Sequence, residues 1–190
     1  MIRAFVALQP PEAVVGALVA AQAGLPEGRP VARENLHLTV AFLGEHAGPV
    51  IEDVHYALSA IRLPRFDLSL RGLDLPGGDR AKVLAAGVDP EPKLRLLRDK
   101  VLQAARGAGI DFPRERYLPH VTLARFNAGL RGEAAERMRA FVLDGAGFRT
   151  EPFEVAGFAL WRSHLGRSGP IYEALAEYPL AGGRAEGEGP

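Results

Sequence analysis

The sequence predicts one α+β domain, in which a repeated motif favours two similar lobes. Three observations support this prediction. The helical and strand patterns follow in the order β-α-β-α-β-β-α-β-α-β-β-β, several neighbouring strands are close enough to form hairpins, and one short pattern occurs in two strands. The chain has 190 residues, the size of one domain, and this length buries a core without disulfides. Hairpin-rich strands favour antiparallel or mixed sheet, with helices outside, over a doubly wound parallel sheet.

The first half of the chain contains both repeat periods. Apolar residues alternate in strand-like segments and recur at helical spacing between them, and Pro11-Glu12 is typical of a first helical turn. The expected elements are strand 2–8, a helix from about 10 to 23, strand 36–43, helix 50–61, and strands 66–73 and 82–88 paired as a hairpin.

The second half continues the alternation of helices and strands. The expected elements are helix 93–108, strand 118–126, helix 131–143, a strand pair 148–155 and 157–165, and a last strand 171–180. Residues 181–190 are polar and rich in glycine, which predicts a disordered tail. The folded domain is therefore expected to span residues 1–180.

Composition excludes several classes of function. The 23 basic and 23 acidic residues balance, which argues against binding through a broad basic coat. The sequence has no cysteine, so disulfides, thiolate zinc sites and cysteine nucleophiles are excluded. No apolar stretch is long enough to span a membrane, and the N-terminus lacks the features of a signal peptide. We expect a cytoplasmic protein with no membrane partner.

Two strands share a His-apolar-Thr-apolar pattern. The first reads Leu36-His37-Leu38-Thr39-Val40 and the second reads Pro119-His120-Val121-Thr122-Leu123. Side chains two residues apart on a strand point to one face, so each His shares a face with its Thr while the apolar neighbours point into a core. One such pattern is an ordinary strand, but two matched copies indicate a site.

The pattern suits acid–base chemistry at phosphorus. One imidazole can accept a proton while the other donates one, and two hydroxyls can donate hydrogen bonds to the non-bridging oxygens. This chemistry requires neither a metal nor another cofactor. A metal site built from His37 and His120 is the weaker alternative, because no acidic residue stands at a ligand spacing such as HExxH.

The chain resembles the two-histidine (2H) phosphoesterases, and within them the RNA 2',3'-cyclic phosphodiesterases, also called 2'-5' RNA ligases. The resemblance spans residues 1–180 and includes RAFVAL, ENLHLTVAFLGE, KVLAAGV, RYLPHVTLARF and SHLGRSGPIYEAL. It implies a bilobed α+β fold, with two pseudo-symmetric lobes around a central cleft.

The resemblance also implies roles for particular residues. His37 and His120 would be the catalytic pair, with His120 activating water and His37 protonating the leaving 3' oxygen. Thr39 and Thr122 would bind the phosphate. Arg125 stands where these enzymes often carry an arginine, and it would bind the substrate, with a surface salt bridge as the alternative. Simple alternation points its side chain away from His120, so a contact requires the strand to end or bulge.

Three aromatic residues are candidates for stacking on a nucleotide base. Phe42 occupies the first-motif position that matches Arg125, and its alternation predicts the core. Tyr117 and Trp161 are candidates for base stacking, with ordinary packing as the alternative for both.

The expected function is metal-independent opening of RNA 2',3'-cyclic phosphate ends to 2'-phosphomonoesters, with reverse 2'-5' ligation by the same site. The expected partner is RNA with such ends, tRNA fragments among them, and the expected state is a monomer. The alternatives are a phosphodiesterase acting on small cyclic nucleotide phosphates and a nucleotide- or RNA-binding module without turnover.

Overall fold

An antiparallel sheet of eight strands forms the framework of the described part of the chain. The computed structural model describes residues 1–113, 116–127, 129–166 and 169–181, apart from the side chains of Asp79 and Leu165. The strands are β1 (Ile2–Leu8), β2 (Arg29–Pro30), β3 (Leu38–His46), β4 (Phe66–Leu68), β5 (Leu70–Asp74), β6 (Val83–Val88), β7 (His120–Arg125), β8 (Phe153–Val155), β9 (Gly157–Gly166) and β10 (Gly169–Pro179). Their order in the sheet is β10-β9-β1-β3-β7-β6-β5, with β2 beside β7, while β4 and β8 form a separate pair.

Four α-helices cover the apolar face of this sheet in the described residues. They are α1 (Glu12–Ala21), α2 (Gly48–Ser59), α3 (Pro92–Gly107) and α4 (Gly132–Asp144). Helix α3 shows why they form: five apolar residues at helical spacing are buried, and the Glu91 carboxylate accepts a hydrogen bond from the Lys93 amide at 2.9 Å. Within the described residues, no helix combines the length and the apolar character needed to cross a bilayer.

The two motif strands lie side by side at the centre of the sheet. Strands β3 and β7 are antiparallel neighbours paired through Leu38 and Val121. Strands β1, β9 and β10 continue the sheet beyond β3, and β6 and β5 continue it beyond β7. The predicted α+β class, with antiparallel sheet and outer helices, is confirmed, and the repeat coincides with the midline of the sheet.

Two strand predictions were wrong in their partners. The expected strand 66–73 divides at Ser69 into β4 and β5, and only β5 forms the expected hairpin with β6. The expected strand 148–155 is reduced to β8, which pairs with β4 rather than with β9. Alternation reports which face of a strand is buried, but it does not report the partner strand.

The end of the domain extends one residue beyond the expected boundary. The Ala181 amide donates to the Leu63 carbonyl at 3.0 Å, and its carbonyl accepts from the Arg65 amide at 3.1 Å. Ala181 is therefore part of the fold. The remainder of the expected tail, 182–190, lies outside the described residues.

Candidate active site

The pairing of β3 with β7 places the four motif side chains on one face. Leu38 lies opposite Val121 in the antiparallel register. Counting one residue in each direction puts His37 opposite Thr122 and Thr39 opposite His120. Directly opposed residues on one face have Cβ atoms about 4.5–5.5 Å apart. Each histidine therefore neighbours the threonine of the other motif, and all four side chains lie on the same face of the sheet.

Both motif strands carry the same bulge, immediately after the threonine. The pairing of β1 with β3 skips Val40, between Ala41 and Thr39, and the pairing of β6 with β7 skips Leu123, between Ala124 and Thr122. An extra residue reverses the alternation beyond it. Residues 37–43 and 120–126 accordingly share one burial order: half-buried, buried, half-buried, buried, buried, exposed, buried.

The bulges bring two further residues to the cleft face. Arg125 lines a cavity with His37 and Thr122, so the contact that alternation forbids is made possible by the bulge. Phe42 is 63% exposed and lines the neighbouring cavity, so the prediction that it belongs to the core was wrong. At this matching position the first motif presents the aromatic ring of Phe42 and the second motif presents the cation of Arg125.

A side-chain hydrogen bond from a helical segment stabilises each bulge. The Val40 carbonyl accepts a hydrogen bond from Nη1 of Arg98 in α3 at 3.1 Å. The Leu123 carbonyl accepts one from Nε2 of Gln22, just after α1, at 2.9 Å, and another from the Val31 amide at 2.8 Å. Because a bulged residue lies outside the regular ladder, these donors satisfy carbonyls that the neighbouring strand leaves free.

The two histidines are held in the same way. Nδ1–H of His37 donates to the Asn35 carbonyl at 2.7 Å, and Nδ1–H of His120 donates to the Leu118 carbonyl at 2.8 Å. Each acceptor lies two residues before its histidine. A neutral imidazole that donates through Nδ1 has an unprotonated Nε2. In both motifs Nε2 is therefore the atom that accepts or donates a proton.

His37 lies in a more enclosed environment than His120. Its ring is 4.9 Å from the ring of Phe5 and 5.2 Å from that of Tyr172, which meets it edge-on. Burial lowers the pKa of His37 below its ordinary value, the bond to Asn35 acts in the opposite direction, and the positive charges of Arg125 and His120 lower the pKa further. The protein therefore favours the neutral imidazole of His37 more strongly than water does.

Two cavities meet at Arg125. The motif cavity has a volume of about 370 Å³ and is lined by His37, Thr122 and Arg125 together with the segments 29–35 and 169–172. The Phe42 cavity has a volume of about 450 Å³ and is lined by Arg3, Phe42 and Ser163 among others. Arg125, Pro170 and Tyr172 border both cavities. These volumes are in the range of small-ligand sites.

The other aromatic candidates have structural contacts. Tyr117 is half-buried beneath Arg98, whose guanidinium lies 4.2 Å from the ring centre, and its hydroxyl donates to the Thr39 carbonyl at 3.1 Å. Trp161 is stacked on Phe5 at 6.5 Å and borders a small pocket beside His37. Among the described residues, no three His, Asp or Glu side chains cluster as a metal site would require.

Three residues of the site were not predicted from the sequence. Asn35 donates from Nδ2 to the Pro170 carbonyl at 3.0 Å while its own carbonyl holds His37, so it links the motif to β10. Tyr172 packs on His37, and Arg29 lines the motif cavity from β2. Asn35 stands in the ENLHLT setting quoted for the resemblance, whereas β2 is only two residues long and carries no strand signal.

Two histidines held in the same tautomer, two hydroxyls and an arginine on one sheet face define a candidate phosphoesterase site. The sequence profile of the 2'-5' RNA ligase superfamily matches residues 10–167. The chain is 35% identical over 206 aligned residues to the RNA 2',3'-cyclic phosphodiesterase of Thermus thermophilus, covering 100% of this chain and 96% of that protein. It is 34% identical to the enzyme of the same name from Aeropyrum pernix, over 85% of this chain and 90% of the other. The chain belongs to the 2'-5' RNA ligase superfamily.

Solved structures agree with this assignment. A crystal structure of a protein from Thermus thermophilus superposes with a TM-score of 0.76 at 28% identity, covering 95% of this chain and 99% of that one. LigT of Escherichia coli in its apo form gives a TM-score of 0.73 at 26% identity, over 94% and 97% of the two chains.

Proposed function

We propose that this protein opens 2',3'-cyclic phosphate ends of RNA to 2'-phosphomonoesters by two-histidine acid–base catalysis. The observation that carries the proposal is the matched tautomer of His37 and His120, each with Nδ1 hydrogen-bonded to a backbone carbonyl and Nε2 unprotonated in the neutral ring. The names of its relatives support the substrate class.

The reaction balances with one proton accepted and one donated. Nε2 of His120 takes a proton from water as the water oxygen bonds to phosphorus. The bond between phosphorus and O3' breaks, and Nε2 of His37 gives its proton to O3'. The 2'-phosphomonoester remains. The assignment of base and acid follows the family resemblance, because the matched Nδ1 hydrogen bonds leave Nε2 as the reactive nitrogen of both histidines.

The surroundings of His37 suit the role of acid. Burial and neighbouring positive charge lower the pKa of His37, so its imidazolium is a strong proton donor. An anionic phosphate between the two histidines stabilises that imidazolium when substrate binds. Hydroxyls of Thr39 and Thr122 and the guanidinium of Arg125 would bind the non-bridging oxygens, where charge develops in the transition state.

The same residues serve 2'-5' ligation. With an RNA 5'-hydroxyl in place of water as nucleophile, the step forms a 2'-5' phosphodiester and releases the 3'-hydroxyl. The proposal includes a monomeric enzyme, since one chain supplies both motifs, and it places the enzyme with its RNA substrate in the cytoplasm.

The test is hydrolysis of an RNA oligonucleotide that ends in a 2',3'-cyclic phosphate, in excess chelator, with the product ends identified. We expect a 2'-phosphate product, and we expect His37→Ala and His120→Ala each to lower turnover about 10²–10⁴-fold. His55→Ala is the matched control, because His55 lies in α2 and is hydrogen-bonded to the Tyr178 hydroxyl of β10 rather than to a motif strand. An RNA left intact by the wild type favours a binding module. Loss of activity with chelator and rescue by one divalent ion moves the site to metal chemistry.

A further inference from the structure

Two arginines face each other at one end of the motif cavity. Arg29 in β2 is the direct antiparallel partner of Arg125 in β7, and both side chains line the motif cavity. Like charges directly opposite each other destabilise a strand pair. Among the described residues no carboxylate forms an ion pair with either guanidinium, although Glu34 lines the same cavity.

The fold holds Arg29 in this position. Gly28 has φ +88°, and a Cβ there would lie 2.6 Å from the Phe126 ring and 2.9 Å from the Arg125 carbonyl oxygen. Gln22 Nε2 donates to the Val31 carbonyl at 2.8 Å as well as to the bulge of β7. On the other side of Gly28, the Glu27 carboxylate forms an ion pair with Arg137 of α4. The segment 27–31 is therefore fixed against β7, and the repulsion is built into the fold.

The two cations match two neighbouring anions. Arg125 lies beside His37 and Thr122, where the proposed reaction takes place, and Arg29 lies next to it across the strand pair. Guanidinium groups bind phosphate through two parallel hydrogen bonds. An RNA chain presents one phosphate per nucleotide, whereas a mononucleotide cyclic phosphate presents only the reacting one.

We propose that Arg29 binds the phosphodiester immediately 5' of the terminal cyclic phosphate and thereby selects RNA ends over mononucleotide cyclic phosphates. The inference rests on the proposed function. It makes Arg29 a determinant of substrate length, separate from the residues that carry the reaction.

The test compares two substrates, 2',3'-cyclic AMP and the dinucleotide ApA with a 2',3'-cyclic phosphate. The readout is the ratio of kcat/KM for the dinucleotide to kcat/KM for the mononucleotide. We expect Arg29→Gln to lower this ratio about 10–100-fold, the size of one charge-assisted hydrogen bond, mainly through KM. A plot of log kcat/KM for the dinucleotide against log salt concentration should also become shallower, by the slope of about one phosphate contact.

Arg95→Gln is the matched control, since Arg95 is exposed on α3 and the substitution removes the same charge. It should leave the ratio unchanged. Arg29→Gln should unfold at the same or a higher urea concentration than the wild type, because the substitution relieves a like-charge pair. A purely structural role for Arg29 would instead lower the unfolding midpoint.

An unchanged ratio in Arg29→Gln, or an equal loss on both substrates, overturns the inference. If the wild type opens neither substrate, the proposed function fails and the inference is decided by binding. Fluorescence-detected binding of ApA and of AMP, each with a terminal 2'-phosphate, then measures the same ratio. In that experiment the dinucleotide preference must again fall in Arg29→Gln, and its persistence rejects the role of Arg29.

Discussion

Replacing Tyr117 by Phe tests whether the two motifs are held together by a side chain as well as by strand pairing. The Tyr117 hydroxyl stands three residues before His120 and donates to the carbonyl of Thr39 in the other motif, at 3.1 Å. Phe keeps the ring that packs beneath Arg98 and removes only this donor. The substitution therefore isolates one bond between the two halves of the site.

The expected loss follows from the one bond removed. A partly buried hydrogen bond contributes about 0.5–1.5 kcal/mol net to the free energy of unfolding. In a domain of this size each kcal/mol lowers Tm by roughly 2–4 °C. We expect kcat to fall about tenfold as well, because small displacements of reacting groups are costly. Urea unfolding and single-turnover rates measure the two effects.

The effect of Tyr117→Phe should not change between about pH 5 and 9, the range in which imidazoles titrate. Burial raises the pKa of Tyr117 to about 12, so the phenol remains a donor throughout that range. The raised pKa means that the folded state holds its proton more tightly than the unfolded state. The contribution of the protonated Tyr117 hydroxyl to stability is complete below a pH of about 10, the pKa of an unperturbed tyrosine. It is lost only as the pH rises through about 12.

Tyr56→Phe is the control, because Tyr56 is 61% exposed and its hydroxyl lies 3.5 Å from Glu52. Its free energy of unfolding should change by less than about 0.5 kcal/mol. If Tyr117→Phe is as stable and as active as Tyr56→Phe, the hydroxyl does not hold the motifs together, and the reasoning is refuted.

Three further predictions address the phosphate ligands, the pH dependence of the rate and the backbone at Gly28. Thr39→Val and Thr122→Val should each lower kcat about 10²-fold with little change in urea midpoint, and normal turnover of both would reduce the hydroxyls to strand residues. The pH profile of kcat/KM should be bell-shaped. Its acid limb should lie below the ordinary imidazole pKa of about 6.5, because burial lowers the pKa of His37. A rate that climbs through pH 9 would contradict catalysis by a coupled pair of histidines. Gly28→Ala should lower the free energy of unfolding by more than Gly24→Ala, since both have positive φ but only Gly28 has atoms within 3 Å of a new Cβ; equal losses would show that the contact is unimportant.

The sequence predicted which side chains share a face within each motif. It did not predict that the alternation reverses after each threonine. Period-two alternation places His37 with Thr39 and His120 with Thr122, and both pairs share a face in the structure. The same alternation misplaces Phe42 and leaves Arg125 undecided. A bulge depends on how a strand meets its neighbour, so alternation within one strand does not reveal it.

Long-range pairing explains the remaining differences. The segment around Arg29 has no apolar alternation, and it pairs with β7 where Gly28 lies close to Phe126. Strand β8 likewise owes its place to β4, which is far from it in sequence. The helices were easier to predict because the spacing of their buried residues is encoded locally, as in α3.

The matched hydrogen bonds at Nδ1 have a consequence for the choice between hydrolysis and ligation. Each imidazole exchanges its proton through the same atom, Nε2. In the proposed mechanism both reactions leave His120 protonated and His37 neutral, because they differ only in whether water or an RNA 5'-hydroxyl gives up its proton. The proton transfers therefore set no preference between opening ends and joining them. The balance is then set by the supply of water against that of RNA hydroxyl groups, and water at its ordinary concentration favours opened ends.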